Sequence, residues 1–292
     1  MNQDDEKHSK LKKIVARVST SEIRSIRNVV SRVIKIINDP ESTVMDLKKI
    51  VQIDPPLTGK LLQLANSAYY APQKKICEIQ QAMIWVGFDT LKELTMRQKI
   101  CEVFQGESSV SGFSRTLLWK HCIAVAMLGK MIFRREFGEK GEEIYAAGLL
   151  HDLGIIAMEQ FCQNDFKKII NKTKADHQDQ TAAEKEVLGF NHAEIGRAIA
   201  DDWDLPQELV QIIGGHHNPE TNPQEVLRIG STLYVADYVC QRRHFGYQNS
   251  ASSDEKRFKR CLKNLGLTSY ALDLIFTDVE SEILKMEEQG LL

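Results

Sequence analysis

From Ser19-Thr20-Ser21 onward, apolar residues recur at helical intervals: Ile26, Val29, Val30, Val33, Ile34 and Ile37 form one dry stripe, ended by Asp39-Pro40. A second stripe takes Val44, Leu47, Ile50 and Val51. Asp54 then stands where it can cap a third helix, with Pro55 in the first turn, where a missing N–H costs nothing. That helix carries Leu57, Leu61, Leu64 and Ala65. A fourth takes Ile79, Ala82, Met83 and Val86 and closes on Gly87, and Asp89 caps a fifth through Leu91 and Leu94. Residues 105–114, rich in Gly and Ser, read as a linker between lobes.

Beyond residue 114 the helices lengthen. Leu117, Leu118, Ile123, Ala124 and Met127 define one that carries His121, and residues 144–158 form the next, with His151 and Asp152 inside it. Residues 171–179 are a polar connection. Residues 184–190 end a helix at Gly189, Asn191 caps the helix of His192, and Leu205-Pro206 begins one that runs to Gly214-Gly215-His216-His217. Residues 226–239 form a helix with Asp237, residues 244–254 a polar loop, and residues 258–265 and 272–286 two closing helices. No convincing period-two pattern interrupts them. The expected fold is all-α and two-lobed: a tail over 1–18, mobile at its start, a helical lobe over 19–110, a second lobe over 111–245, and a helical extension over 246–292.

With 42% hydrophobic and 27% charged residues, the chain can bury a large core. Its net charge of −2 supplies no overall field for a nucleic-acid duplex or an anionic membrane, so an anionic ligand needs a local site. Cys77, Cys101, Cys122, Cys162, Cys240 and Cys261 contain no CxxC pair and read as buried free thiols of a reducing compartment. The charged start has no signal-peptide core and no run approaches 18 apolar residues, so a cytoplasmic chain is expected. Asn66-Ser67 reads as a structural corner, and Trp119 and Trp203 as core aromatics.

His121, His151, Asp152, His192, His216, His217 and Asp237 all fall in, or at the end of, apolar helices. An unpaired polar group there would cost a few kcal/mol, about 1–3 for each. A metal satisfies many imidazoles and few carboxylates, and the absence of thiolates disfavours structural zinc. Two divalent transition metals sharing a bridging carboxylate would use the whole set, Fe or Mn ahead of Zn or Ni.

The order His121, then His151-Asp152, then Asp237 within Leu233-Tyr234-Val235-Ala236-Asp237 resembles the HD superfamily of metal-dependent phosphohydrolases. His192 and the pair His216-His217 resemble its dinuclear branch, which includes the HD-GYP cyclic di-GMP phosphodiesterases. Ile53-Asp54-Pro55-Pro56-Leu57-Thr58, Leu64-Ala65-Asn66-Ser67-Ala68, residues 82–87 and Trp203-Asp204-Leu205-Pro206 resemble the HDOD family, the HD-related output domain of bacterial signalling, over residues 20–240. The resemblance implies one metal on His121, His151, Asp152 and Asp237, a second on Asp152, His192, His216 and His217, and a bridging Asp152.

The departures concern phosphate. Ile155 follows Gly154 where HD-GYP proteins carry a phosphate-binding lysine. Asn218-Pro219 follows the double histidine where they carry Gly-Tyr-Pro, and Gly246-Tyr247 lies far downstream. Leu117 stands where some of them place a glutamate for a third metal. Arg197, Arg242, Arg243 and Lys130 are the nearest cations in sequence. The expectation is therefore a signalling module with a dinuclear metal site, acting through a signalling partner or a phosphate-containing small ligand, with a homodimer compatible. The alternative is an active phosphohydrolase in which Asp152 is catalytic. An oxygen-using di-iron enzyme is chemically conceivable. No sensory domain is recognised in the chain, so its input is expected from a separate protein or a small ligand.

Overall fold

The computed structural model describes residues 3–21, 23–39, 41–175, 178–248 and 254–291. Pro40 and parts of the expected tail, of the 171–179 connection and of the 244–254 loop lie outside them. The described residues are all-α, with no strand among them. In chain order the helices are α1 (Gln3–Thr20), α2 (Ile23–Asn38), α3 (Val44–Val51), α4 (Pro55–Ala65), α5 (Ile79–Val86), α6 (Phe88–Phe104), α7 (Arg115–Glu136) and α8 (Glu142–Leu150). There follow α9 (Leu153–Phe161), α10 (Gln163–Ala175), α11 (Gln180–Leu188), α12 (His192–Asp202), α13 (Gln207–Gly214), a 3-10 turn (Pro219–Thr221), α14 (Leu227–Arg242), α15 (Glu255–Leu265) and α16 (Ser269–Glu288).

The smaller compact unit comprises Ser25–Glu102 and Glu280–Leu292. Its apolar stripes become its core, with Val30, Val33, Leu47, Leu57, Leu61, Met83 and Leu91 buried. Asp54 caps α4 by accepting from Leu57 N–H at 3.0 Å, as its place before Pro55 predicts. Asn66 is a corner brace: its amide donates to the carbonyls of Leu62 and Ile76, each at 2.8 Å, while its own carbonyl accepts from Ile76 N–H. Asp89 sits within the first turn of α6 rather than at its cap.

The larger unit comprises Met1–Arg24 and Val103–Val279. At its centre is α7, buried from Leu118 to Lys130 except at Lys120 and packed on α8 and α14. By length and composition α7 could cross a membrane, a candidate absent from the sequence reading, and 78% of its apolar window is buried inside the fold. It is a core helix. Gly148 of α8 meets α7 so closely that a Cβ there would lie 2.4 Å from the Cα of Ala126.

Four expectations change. Residues 3–20 are helical instead of a tail; α1 buries Ile14 and Val18 against α9 and α12, a stripe too narrow to stand out among its lysines. The expected linker belongs to the larger unit, where Val110 and Phe113 are buried and the Ser108 hydroxyl donates to the buried Glu159 carboxylate at 2.8 Å. The connection after Asn171 remains helical to Ala175. Among the cysteines, Cys77 is exposed, while Cys122, Cys240 and Cys261 are buried.

Gly148→Ala is expected to cost about 1–3 kcal/mol through overpacking, read as a fall in denaturation midpoint without a change in slope.

Candidate metal centre

The expected continuous helix over 144–158 is broken at its centre. Adjacent residues of a straight helix point about 100° apart, so a His-Asp pair inside one could not face a single point. Here α8 ends at Leu150, His151 and Asp152 form the junction, and α9 starts at Leu153. Gly154 permits this sharp restart against α12: a Cβ there would meet the His192 carbonyl oxygen at 2.0 Å.

The break brings all seven expected residues together. Nε2 of His151 and of His121 lie 3.3 and 3.8 Å from one oxygen of Asp152, Oδ2. Nε2 of His192 and of His216 lie 3.3 and 3.8 Å from the other, Oδ1. Asp237 closes the first group, its Oδ1 3.0 Å from His121 Nε2. His217 closes the second, its Nε2 2.7 Å from His192 Nε2. The four imidazoles around Asp152 are 0% exposed and Asp152 itself 2%. Asp237 and the half-buried His217 lie nearest to solvent.

Three ring orientations are fixed from behind. His151 Nδ1 bonds the Gly148 carbonyl at 2.8 Å and His216 Nδ1 the Ile213 carbonyl at 2.7 Å, each three residues earlier in its own helix. His192 Nδ1 meets the Glu184 carboxylate at 2.7 Å, and His192 N–H donates to the same group at 2.8 Å. With Nδ1 donating in each case, the neutral ring would present its Nε2 lone pair to the cluster, the arrangement metal-ligating histidines require.

The side-chain atoms of the cluster are not all satisfied by one another. His121 Nδ1 and Nε2, His151 Nε2, His216 Nε2 and Asp237 Oδ1 are buried without a hydrogen bond among the described residues, the 3.0 Å approach of His121 to Asp237 included. Such orphans are rare because each costs about 1–3 kcal/mol. Donors held about 2.1 Å from one ion lie about 3.0–3.4 Å from each other, close to the spacings in both groups. These two groups, His121 with His151 and Asp152, and His192 with His216 and His217, could each hold a metal ion.

The electrostatics follow the same division. Burial opposes the charge on Asp152, but His151 and His192 beside it hold its carboxyl well below the usual carboxylate range. Burial likewise opposes charge on His192, and Glu184 with Asp152 outweighs it, lifting the imidazole well above its ordinary value. His216, buried and crowded by His151 and His192, is pushed down to about 3, and burial with His216 and His192 nearby pushes His217 well below its usual range. The latter two therefore remain neutral, as a metal ligand must.

Glu184 escaped the sequence reading, and with it a buried chain. Gln180 donates to Glu184 at 2.8 Å, and the hydroxyl of Tyr247 donates to Gln180 at 3.1 Å. Downstream Tyr247 thus returns to the site behind His192. The available signal was polarity in the wrong place: Gln180, Ala183, Glu184 and Leu188 form the buried face of α11, with two polar residues where apolar ones belong. Glu194, by contrast, caps α12 together with Asn191 and pairs with Lys7, outside the cluster. Ile155 is a core residue. Arg242 reaches Tyr238 and Arg243 pairs with Asp273.

Comparison with known proteins agrees with this architecture. The family model described as HDOD domain matches residues 23–219. A crystal structure of an HDOD domain protein of unknown function from Geobacter sulfurreducens is 26% identical, with a TM-score of 0.76 over 91% of this chain and 92% of that one. A Shewanella amazonensis SB2B protein provisionally described as a phosphohydrolase shares the fold at 22% identity, TM-score 0.68, over 97% and 96% of the chains. A protein of Marinobacter aquaeolei VT8, provisionally described as acting in signal transduction, shares it at 18% identity, TM-score 0.73, over 99% of this chain and 66% of that one. An uncharacterized Treponema pallidum (strain Nichols) protein is 24% identical over 71% of this chain, which spans 40% of that relative's length.

Glu184→Gln leaves one acceptor oxygen for two His192 N–H groups. It is expected to weaken metal binding about 10- to 100-fold in protein that remains folded, measured by competition with a chromogenic chelator. Unchanged affinity would make Glu184 a packing residue only.

Proposed function

The chain belongs to the HDOD family, and on that premise we propose that it is a signalling module built around a dinuclear metal centre that binds a phosphate-bearing ligand or a signalling partner. One metal is held by His121, His151, Asp152 and Asp237, the other by Asp152, His192, His216 and His217. The observation that carries the reading is the division of Asp152, one oxygen toward each group of histidines. Fe and Mn suit a set of imidazoles and carboxylates without thiolate, ahead of Zn and Ni.

Two ions there would polarise a phosphoryl oxygen and lower the pKa of water in the centre. The chain's own residues set the conditions for it. The imidazoles around Asp152 exclude bulk water from it, and Glu184 and the carbonyls of Gly148 and Ile213 hold the rings of His192, His151 and His216; Asp237 and His217 are the members of the set nearest to solvent. With Ile155 buried in the core, the lysine by which HD-GYP phosphodiesterases hold phosphate has no counterpart at that position. This favours a binding module as the primary reading.

The second reading is phosphohydrolysis with Asp152 as catalytic residue, favoured by the complete ligand set. The phosphohydrolase description of the Shewanella amazonensis relative, which shares the fold, points the same way.

Elemental analysis of protein purified without added metal or chelator is expected to give about two equivalents of transition metal, with a metal-dependent rise in melting temperature. Asp152→Ala is expected to lose both ions and His217→Ala one. Wild-type protein that arrives metal-free and refuses added metal would overturn the dinuclear reading. Turnover of a general phosphodiester with Mn or Fe, abolished in Asp152→Ala, would select the hydrolytic reading, and its absence the binding module.

A further inference from the structure

Among the described residues of the larger unit outside the cluster, Gln241 is the side chain whose donor and acceptor are both left buried without a partner. Its amide oxygen and nitrogen are both shut off from solvent, and neither has a hydrogen bond among the described residues. Buried amides of folded proteins are nearly always paired. Among the described residues this one is bonded at neither end.

Its place on α14 is specific. Gln241 follows Asp237 by four residues, so the two side chains share one face of the helix, one turn apart. Across from them runs α7, in the opposite direction: near the start of α14 the Arg228 guanidinium lies over the Phe133 ring near the end of α7, and further along Asp237 meets His121. Past the end of α14, Tyr247 donates its N–H to the carbonyl of Leu117 at 2.8 Å. Gln241 therefore belongs opposite the turn between Leu117 and His121. The segment after it is pressed onto that turn, since Gly246 takes φ +85° and a Cβ there would lie 2.5 Å from His121 N. Leu117, one turn before His121 on α7, is itself 47% exposed.

We infer that Gln241 is a ligand-contacting residue, its Nε2 donating to a phosphate oxygen and its Oε1 accepting from a ligand hydroxyl, beside the His121 and Asp237 end of the centre. The inference rests on the dinuclear reading above. A neutral amide serves where the expected lysine is absent and where Arg242 and Arg243 are engaged with Tyr238 and Asp273. It recognises the oxygen by direction rather than by net charge.

The test is Gln241→Met, which keeps the volume and removes the amide. Metal-free variant is expected to melt at the wild-type temperature or about 2 °C higher, because an unpaired buried amide is removed. Metal content is expected to match the wild type. Binding of inorganic phosphate to the metal-loaded variant, measured by calorimetry, is expected to weaken about tenfold. A lower melting temperature would make the amide structural and overturn the inference, as would phosphate affinity within about twofold of wild type at full metal content. Metal-loaded wild type that ignores phosphate would overturn the ligand class. Wild type that takes no metal would remove the dinuclear reading and this inference together, and elemental analysis reveals that before phosphate is added.

Discussion

Burying the carboxylate of Asp152, with an imidazole nitrogen 3.3 Å from each of its oxygens, is the constraint on which the larger unit depends. An ionised group taken out of water costs several kcal/mol unless it is surrounded by partners. The partners come from α7, the end of α8, the start of α12 and the end of α13, so four helix termini or centres must converge within side-chain reach. Convergence that tight is what the glycines at 148 and 154 permit, and it forces the helix to break between Leu150 and Leu153. The two-residue junction converts neighbours in sequence into co-facing ligands.

The helical periodicity of the chain was legible wherever a stripe was wide. Val30, Val33, Leu57 and Leu61 lie in the core as their spacing requires. Caps were legible too, because Asp54 and Asn191 are residue types that bond the first free N–H groups of a helix. The break at His151 was not: apart from His151 and Asp152 residues 144–158 carry no charged or strongly polar side chain, and periodicity alone does not register a bend between two helices whose every face is buried. α1 failed for the opposite reason, since Ile14 and Val18 are too few to rise above the surrounding charge. The linker looked polar but gained its order from Glu159, a partner about fifty residues away in the chain.

At the site, sequence order was enough to nominate the histidines and aspartates, because residues of those types are costly inside apolar helices. It was not enough for the groups that orient them. Glu184, Gln180 and Tyr247 are ordinary surface-compatible residues by type, and only their mutual distances reveal a chain of hydrogen bonds behind His192. Residues that coordinate announce themselves by composition; residues that aim do so by geometry.

The family match ends at residue 219, whereas Asp237 and Tyr247 lie beyond it. The stretch that defines membership thus contains His121, His151, Asp152, His192, His216 and His217 but omits the helix that completes the first group. Inheritance of the domain and inheritance of a finished centre are consequently separable: a homologue can keep every matched position and still differ in the last carboxylate. Whether the first group is closed is therefore decided on α14, outside the matched residues, by the single carboxylate of Asp237.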